Sequence, residues 1–148
     1  MATMLKFGTG HAEPREASPQ GTWLAAWLED ELNQLLKLSL AWDGHRASQI
    51  TMEAVINAAY FFHAISDQSS ILPQFFPLPD GGVQFEWHVG GAALEIEVDA
   101  TGAAHALALT ADGQVSFAAD ITLNDPDNLQ SVRAIVRSLS DRVTKHRR

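Results

Sequence analysis

Four side chains in the stretch PLPDGGVQFEWHVGGAALEIEVD (residues 77–99) have the types and spacing for acid–base or metal chemistry: Glu86, His88, Glu95 and Glu97. They occupy alternate positions of two apolar–polar repeats separated by Gly90-Gly91. Residues two apart on a strand share a face, so pairing the two repeats would gather carboxylates and an imidazole on one patch. Such a set can hold a divalent cation or move a proton. The competing reading is that alternate polar residues keep one face of a half-buried antiparallel sheet in water. If Glu86 and Glu95 stand directly opposite each other, their repulsion costs ~0.5 kcal/mol, which a basic partner or a cation would relieve.

The patch exists only if the strands pair in one register. With Gly90-Gly91 as a two-residue hairpin loop, Val83 faces Val98, Phe85 faces Ile96, Trp87 faces Leu94 and Val89 faces Ala92. The same register sets Glu86 against Glu95, Gln84 against Glu97 and His88 against Ala93. A slip of one residue would bury the carboxylates, so the register is strongly specified. Two further strands are predicted over about Ala103–Thr110 and Val115–Ile121, joined by the Asp112-Gly113 turn. Taking the larger residues as core-facing puts Leu107 and Leu109 inward on the third strand, with Val115, Phe117 and Ile121 inward on the fourth. Ala104, Ala106, Ala108, Ser116, Ala118 and Asp120 then share the outer face with the glutamates.

Helices must cover the apolar face. TWLAAWLEDELNQLLKLSL, from Thr22 as N-cap to about Leu40, carries Leu24, Trp27, Leu28, Leu32, Leu35 and Leu36 on one stripe. WDGH (residues 42–45) reads as its stop, with Gly44 in a positive-φ turn and Trp42 folded back on the core. A second helix starts after Thr51, a candidate N-cap whose neighbour Ile50 can staple to Val55, and runs to about Ser66. Its inward residues are Val55, Ile56, Ala59 and Phe62, with Ile65 or Tyr60. Pro73, Pro77 and Pro79 hold the following segment extended as a linker. Asp125-Pro126 opens a last helix with Leu129, Val132, Val136, Leu139 and Val143 at three-and-four spacing. The expectation is an α+β fold: two N-terminal helices, a four-stranded antiparallel meander and a C-terminal helix, with the helices on one sheet face. Residues 1–21, rich in Gly, Pro, Glu and Ser, read as a flexible leader, and 22–148 as a single domain with a basic end.

Charge is unevenly placed. Residues 1–132 hold 4 Lys/Arg against 17 Asp/Glu, while residues 133–148 hold 6 Lys/Arg against Asp141 alone. An acidic body repels phosphate backbones and anionic membranes and attracts basic proteins. The basic end, Arg142, Lys145, Arg147 and Arg148, complements the helix dipole, and it is the one element that could hold nucleic acid without sequence preference. With no cysteine, disulfides, thiolate metal sites and thiol nucleophiles drop out. No apolar run reaches the ~20 residues of a membrane span and the N-terminus has no apolar signal core, so a cytoplasmic location is expected. None of HExxH, GxSxG, GxxxxGK or GxGxxG occurs, so neither a cofactor nor a resident metal is expected. Asp43 and Asp80, each beside glycine, read as turn formers; His63 and His105 read as hydrogen-bonded packing residues.

LKLSLAWDGHRASQIT, then a helix, then PLPDGGVQFEWHVGGAALEIEVD and an ADGQV turn, together resemble a widespread family of small bacterial proteins. In that family a WDG motif ends the first helix and a PxPDGGxQxEW motif opens the sheet. The resemblance covers about residues 22–140. It implies a bacterial, cytoplasmic, single-domain protein but brings no activity with it, and His45 stands where the family would carry an aromatic such as tyrosine.

The function expected first is a non-enzymatic acidic interaction module, as monomer or homodimer, that regulates or neutralises a protein with a basic surface. Antitoxins, immunity proteins and inhibitors carried on mobile elements are of this type. Its binding surface is expected at Glu86, His88, Glu95 and Glu97 beside the small side chains of Ala104, Ala106 and Ala108. The alternatives are a small metal-dependent enzyme using the Glu/His patch and a nucleic-acid-binding regulator acting through the C-terminal helix.

Overall fold

The computed structural model describes residues 19–146, in the order α1 (Pro19–Leu36), α2 (Met52–Ile65), β1 (Gln74–Pro77), β2 (Val83–Val89), β3 (Ala92–Val98), β4 (Ala104–Leu109), β5 (Val115–Ile121) and α3 (Pro126–His146). The fold is α+β, with one antiparallel sheet in the order β1-β2-β3-β4-β5. Every step between neighbouring strands is a short turn, so the sheet is a simple meander.

The β2/β3 hairpin has the register its sequence predicts at all seven pairs, from Val83 opposite Val98 to Val89 opposite Ala92. Gly90 and Gly91 both take positive φ in its loop, as a two-residue turn requires. Val83, Phe85, Trp87, Leu94, Ile96 and Val98 are buried on one face. There they meet Leu28 and Leu32 of α1, Val55 and Phe62 of α2, and Val132, Val136 and Leu139 of α3. The α3 stripe is therefore spent inside its own domain. Trp27, Phe62, Phe75, Phe85 and Trp87 form a chain of ring contacts with centroids 5.2 to 6.2 Å apart. Trp87 Nε1 donates to the Ile71 carbonyl at 2.8 Å, which makes burial of the indole affordable.

Three boundaries differ from the sequence reading. The described part of α1 already includes Pro19, so Thr22 lies inside the helix; the remainder of the expected leader lies outside the described residues. α1 also stops at Leu36, and the turn around WDGH uses positive φ at Ala41 as well as Gly44. The proline-bracketed segment is a fifth strand, β1, paired to β2 with Phe75 opposite Phe85. An edge strand tolerates Pro77 because one row of its backbone groups has no partner to lose.

β4 faces the other way from its expected orientation. Ala104, Ala106 and Ala108 are buried, while His105 is exposed and Leu107 and Leu109 are half-buried on the outer face. The turn between β3 and β4 sets Val98 opposite Ala104, Ile96 opposite Ala106 and Leu94 opposite Ala108, so the alanines continue the core rows of β3. Cross-strand pairing outweighs side-chain size here. A bulge at Ala108/Leu109 then shifts β5, leaving Phe117 and Ile121 inward and Val115 outward, 61% exposed. No helix among the described residues is long and apolar enough to cross a membrane.

Candidate functional site

The described helices lie on one face of the sheet and leave the other open among the described residues, and the strand registers assign its rows. One row runs Phe76, Gln84, Glu97, His105 and Asp120; the next runs Gln74, Glu86, Glu95, Leu107 and Ala118. Ala93 sits between His88 and Leu109 in a third row, with Val115 beyond. The glutamates therefore occupy β2 and β3, with Asp120 at the β5 edge and apolar residues beside them on β1, β4 and β5. Phe76 is 39% exposed.

Glu86 is the centre of the polar part. Its Oε1 lies 3.0 Å from His88 Nε2, and its Oε2 accepts from Gln84 Nε2 at 2.7 Å. Glu95 stands opposite on β3, and one donor atom from each of Glu86, His88 and Glu95 lies within 4.8 Å of the others. Glu97 shares the face but falls outside this trio, paired between Gln84 and His105. The hairpin register thus brings together Glu86, His88 and Glu95 as the sequence predicts and sets Glu97 one row away.

Ala104, Ala106 and Ala108 leave the candidate surface. They are core residues, and the smooth strip expected beside the glutamates is replaced by Leu107, Leu109, Val115 and Ala118. His105 is likewise no core packing residue: its Nδ1 lies 2.9 Å from Asp120 Oδ1 on the outer face. The sequence hides this second imidazole–carboxylate pair because Leu107, the larger neighbour two positions on, reads as inward. Continuing the hairpin register through the Asp99–Gly102 turn would have found it.

At the end of the sheet an open groove of ≈ 520 Å³ is lined by Leu78, Asp80, Glu97, Asp99, His105 and Asp120, among others. Two of its carboxylates are committed to turns. Asp99 Oδ1 accepts from Thr101 Oγ1 at 2.6 Å, Thr101 N at 2.9 Å and Ala103 N at 3.1 Å. Those bonds, the Thr101 hydroxyl first, hold its carboxyl below the usual range. Asp80 accepts from Gly82 N at 2.9 Å, and Asp43 from His45 N at 2.9 Å and Ala47 N at 3.2 Å, so both are the turn formers their glycine neighbours suggest.

Elsewhere, His63 is solvent-accessible on α2 with its ring edge-on to Phe62, and partial burial pushes its pKa down. Arg142 is exposed on α3, which packs against the helical side of the sheet, away from the glutamates. Lys145 lies on the α3 backbone, its side chain outside the described residues, as are Arg147 and Arg148. The acidic face and the basic helix therefore point to opposite sides of the molecule.

No protein-family model, curated protein or solved structure matches this chain. The family resemblance therefore rests on the WDG and PDGG motifs, and both have structural work in the fold. Trp42 Nε1 donates to the Ser48 carbonyl at 3.0 Å, closing the loop after α1. Gly81 O accepts from Thr51 N at 2.9 Å, and Pro79 O from Ser48 N at 2.8 Å, tying the β1–β2 turn to the start of α2.

Proposed function

We propose that this protein is a cytoplasmic, non-enzymatic interaction module whose open sheet face docks a partner protein of basic surface, in the manner of an antitoxin, immunity protein or inhibitor. The observation that supports this most is the composition of the outer face: Glu86, Glu95 and Glu97 lie beside Phe76, Leu107, Leu109 and Val115, with none of the described helices over them. Apolar side chains supply the area that binding desolvates, and the carboxylates select a cationic partner and speed its approach. The small-residue contribution first assigned to β4 is replaced by these larger apolar groups, which strengthens the same reading.

The alternative of a nucleic-acid regulator has less support, since Arg133, Arg137 and Arg142 on α3 face a body with a large excess of acid. The test is purification of the tagged full chain from a bacterial lysate at ~0.15 M salt, followed by a ~1 M salt step, since screening at that strength suppresses charge-steered association. A single protein recovered at fixed stoichiometry and released by salt supports the reading. Recovery of nucleic acid in its place, or of no partner, sinks it.

A further inference from the structure

We infer that Glu86, His88 and Glu95 form a binding site for one first-row divalent transition-metal cation, with Zn²⁺ the best match. Three donors from two neighbouring central strands, one imidazole nitrogen and two carboxylate oxygens, come within 4.8 Å of one another. Ligands ~2.0–2.2 Å from one ion stand ~3.4 Å apart in tetrahedral geometry. The His88 Nε2 to Glu86 Oε1 distance of 3.0 Å is already near that spacing, and a Glu95 carboxylate oxygen lies within 4.8 Å of both. Backbone pairing fixes where all three side chains originate, so the set is preorganised by the register.

A second observation points the same way. Glu86 and Glu95 are directly opposed like charges, the Glu86 side chain is only 14% exposed, and among the described residues neither is ion-paired to a lysine or arginine. Among the described residues, the ion-pair contact made by the two glutamates is that of Glu86 Oε1 with His88 Nε2. Directly opposed like charges destabilise a strand pair, and a bound cation would turn that repulsion into attraction. Gln84 Nε2 holds Glu86 Oε2 at 2.7 Å, so an ion would take Oε1 and His88 Nε2 in place of their present contact with each other, the Gln84 bond playing the orienting role that outer hydrogen bonds have around metals. The mixed nitrogen and oxygen donors disfavour Ca²⁺ and Mg²⁺, which take all-oxygen shells, and favour Zn²⁺ and its neighbours. Three protein ligands leave a coordination position for water. The site shares Glu86 and Glu95 with the proposed docking face, but Zn²⁺ uptake by the chain alone is read without a partner, so the two readings can fail separately.

The test is calorimetric titration of the full chain with ZnCl₂, run in parallel on His88→Ala and Glu95→Gln, with circular dichroism to confirm that each variant is folded. The expected result is one Zn²⁺ per wild-type chain and affinity at least ~10-fold weaker in either variant. No saturable uptake by the wild-type chain, or equal uptake by both variants, overturns the inference. Should a variant misfold, NMR of the wild-type histidine rings decides the matter: Zn²⁺ must perturb the His88 ring first, and perturbation confined to other histidines refutes the site.

Discussion

Gly82 and Gly90 both sit at turns of the sheet, yet their surroundings demand glycine for different reasons. A Cβ on Gly82 would lie 2.3 Å from the Val98 carbonyl oxygen, a backbone atom of a central strand that has no room to yield. A Cβ on Gly90 meets nothing within 4 Å, and only its φ of +56° opposes a side chain. Gly82→Ala is therefore expected to cost more than ~3 kcal/mol and Gly90→Ala ~1 kcal/mol, measured by urea unfolding. Thr51 gives a second residue-scale prediction. Its hydroxyl caps α2 by accepting from Ala54 N at 3.1 Å and donates to the Ala100 carbonyl at 2.7 Å, joining helix start to sheet turn. Thr51→Ala is expected to cost ~1–2 kcal/mol by the same measurement, and Thr51→Ser to recover most of it. Thr51, Ile50 and the glycine turns were legible in the sequence because capping and positive φ are local demands. The crowding at Gly82 was not, since it comes from a strand sixteen positions along the chain.

Among the elements, β2 and β3 were fully legible and β4 was not, for one physical reason. In the hairpin each large apolar residue has an apolar partner, so only one register keeps the glutamates in water. In β4 both faces carry apolar residues, Ala104, Ala106 and Ala108 on one and Leu107 and Leu109 on the other, and size gives the wrong face. Pairing to β3 decides the orientation. This makes a sharp prediction: Ala106→Leu, at a position with 0% exposure, overpacks the core and costs ~1–3 kcal/mol, whereas Leu107→Ala on the outer face costs less. The reverse order in thermal or urea unfolding would mean that β4 faces the way its side-chain sizes suggest. β1 is hard to read from sequence because Pro77 within it and Pro73 just before it argue against a strand in general, whereas proline excludes only a central one.

Across the whole molecule, the α3 arginines lie on the opposite side of the sheet from Glu86, Glu95 and Glu97, while further acid is spread over the helices at Glu29, Asp30, Glu31, Glu53, Asp127 and Asp141. The net acidity was legible by counting, but the separation required knowing which side of the sheet α3 covers. Stability should fall with acid in two stages. His63 has a folded pKa below its usual 6.5, so the unfolded chain binds the proton more readily and stability declines as pH drops below ~6.5 toward the folded value. Asp43, Asp67, Asp99 and Asp112 are each held below 3.8 by hydrogen bonds in turns, and their contribution is lost as pH falls below ~3.8 through their folded values. Unfolding midpoints measured against pH should show both declines, and His63→Gln should remove the first while leaving the second. The central claim, that the open acidic face docks a basic protein, is tested most directly by measuring how much partner the tagged chain retains when Glu86, Glu95 and Glu97 are all changed to lysine, beside a control with Arg133→Glu and Arg137→Glu on α3. The face reversal should abolish retention and the α3 reversal should preserve it. Retention that survives the face reversal, or is lost only with the α3 reversal, would contradict the account.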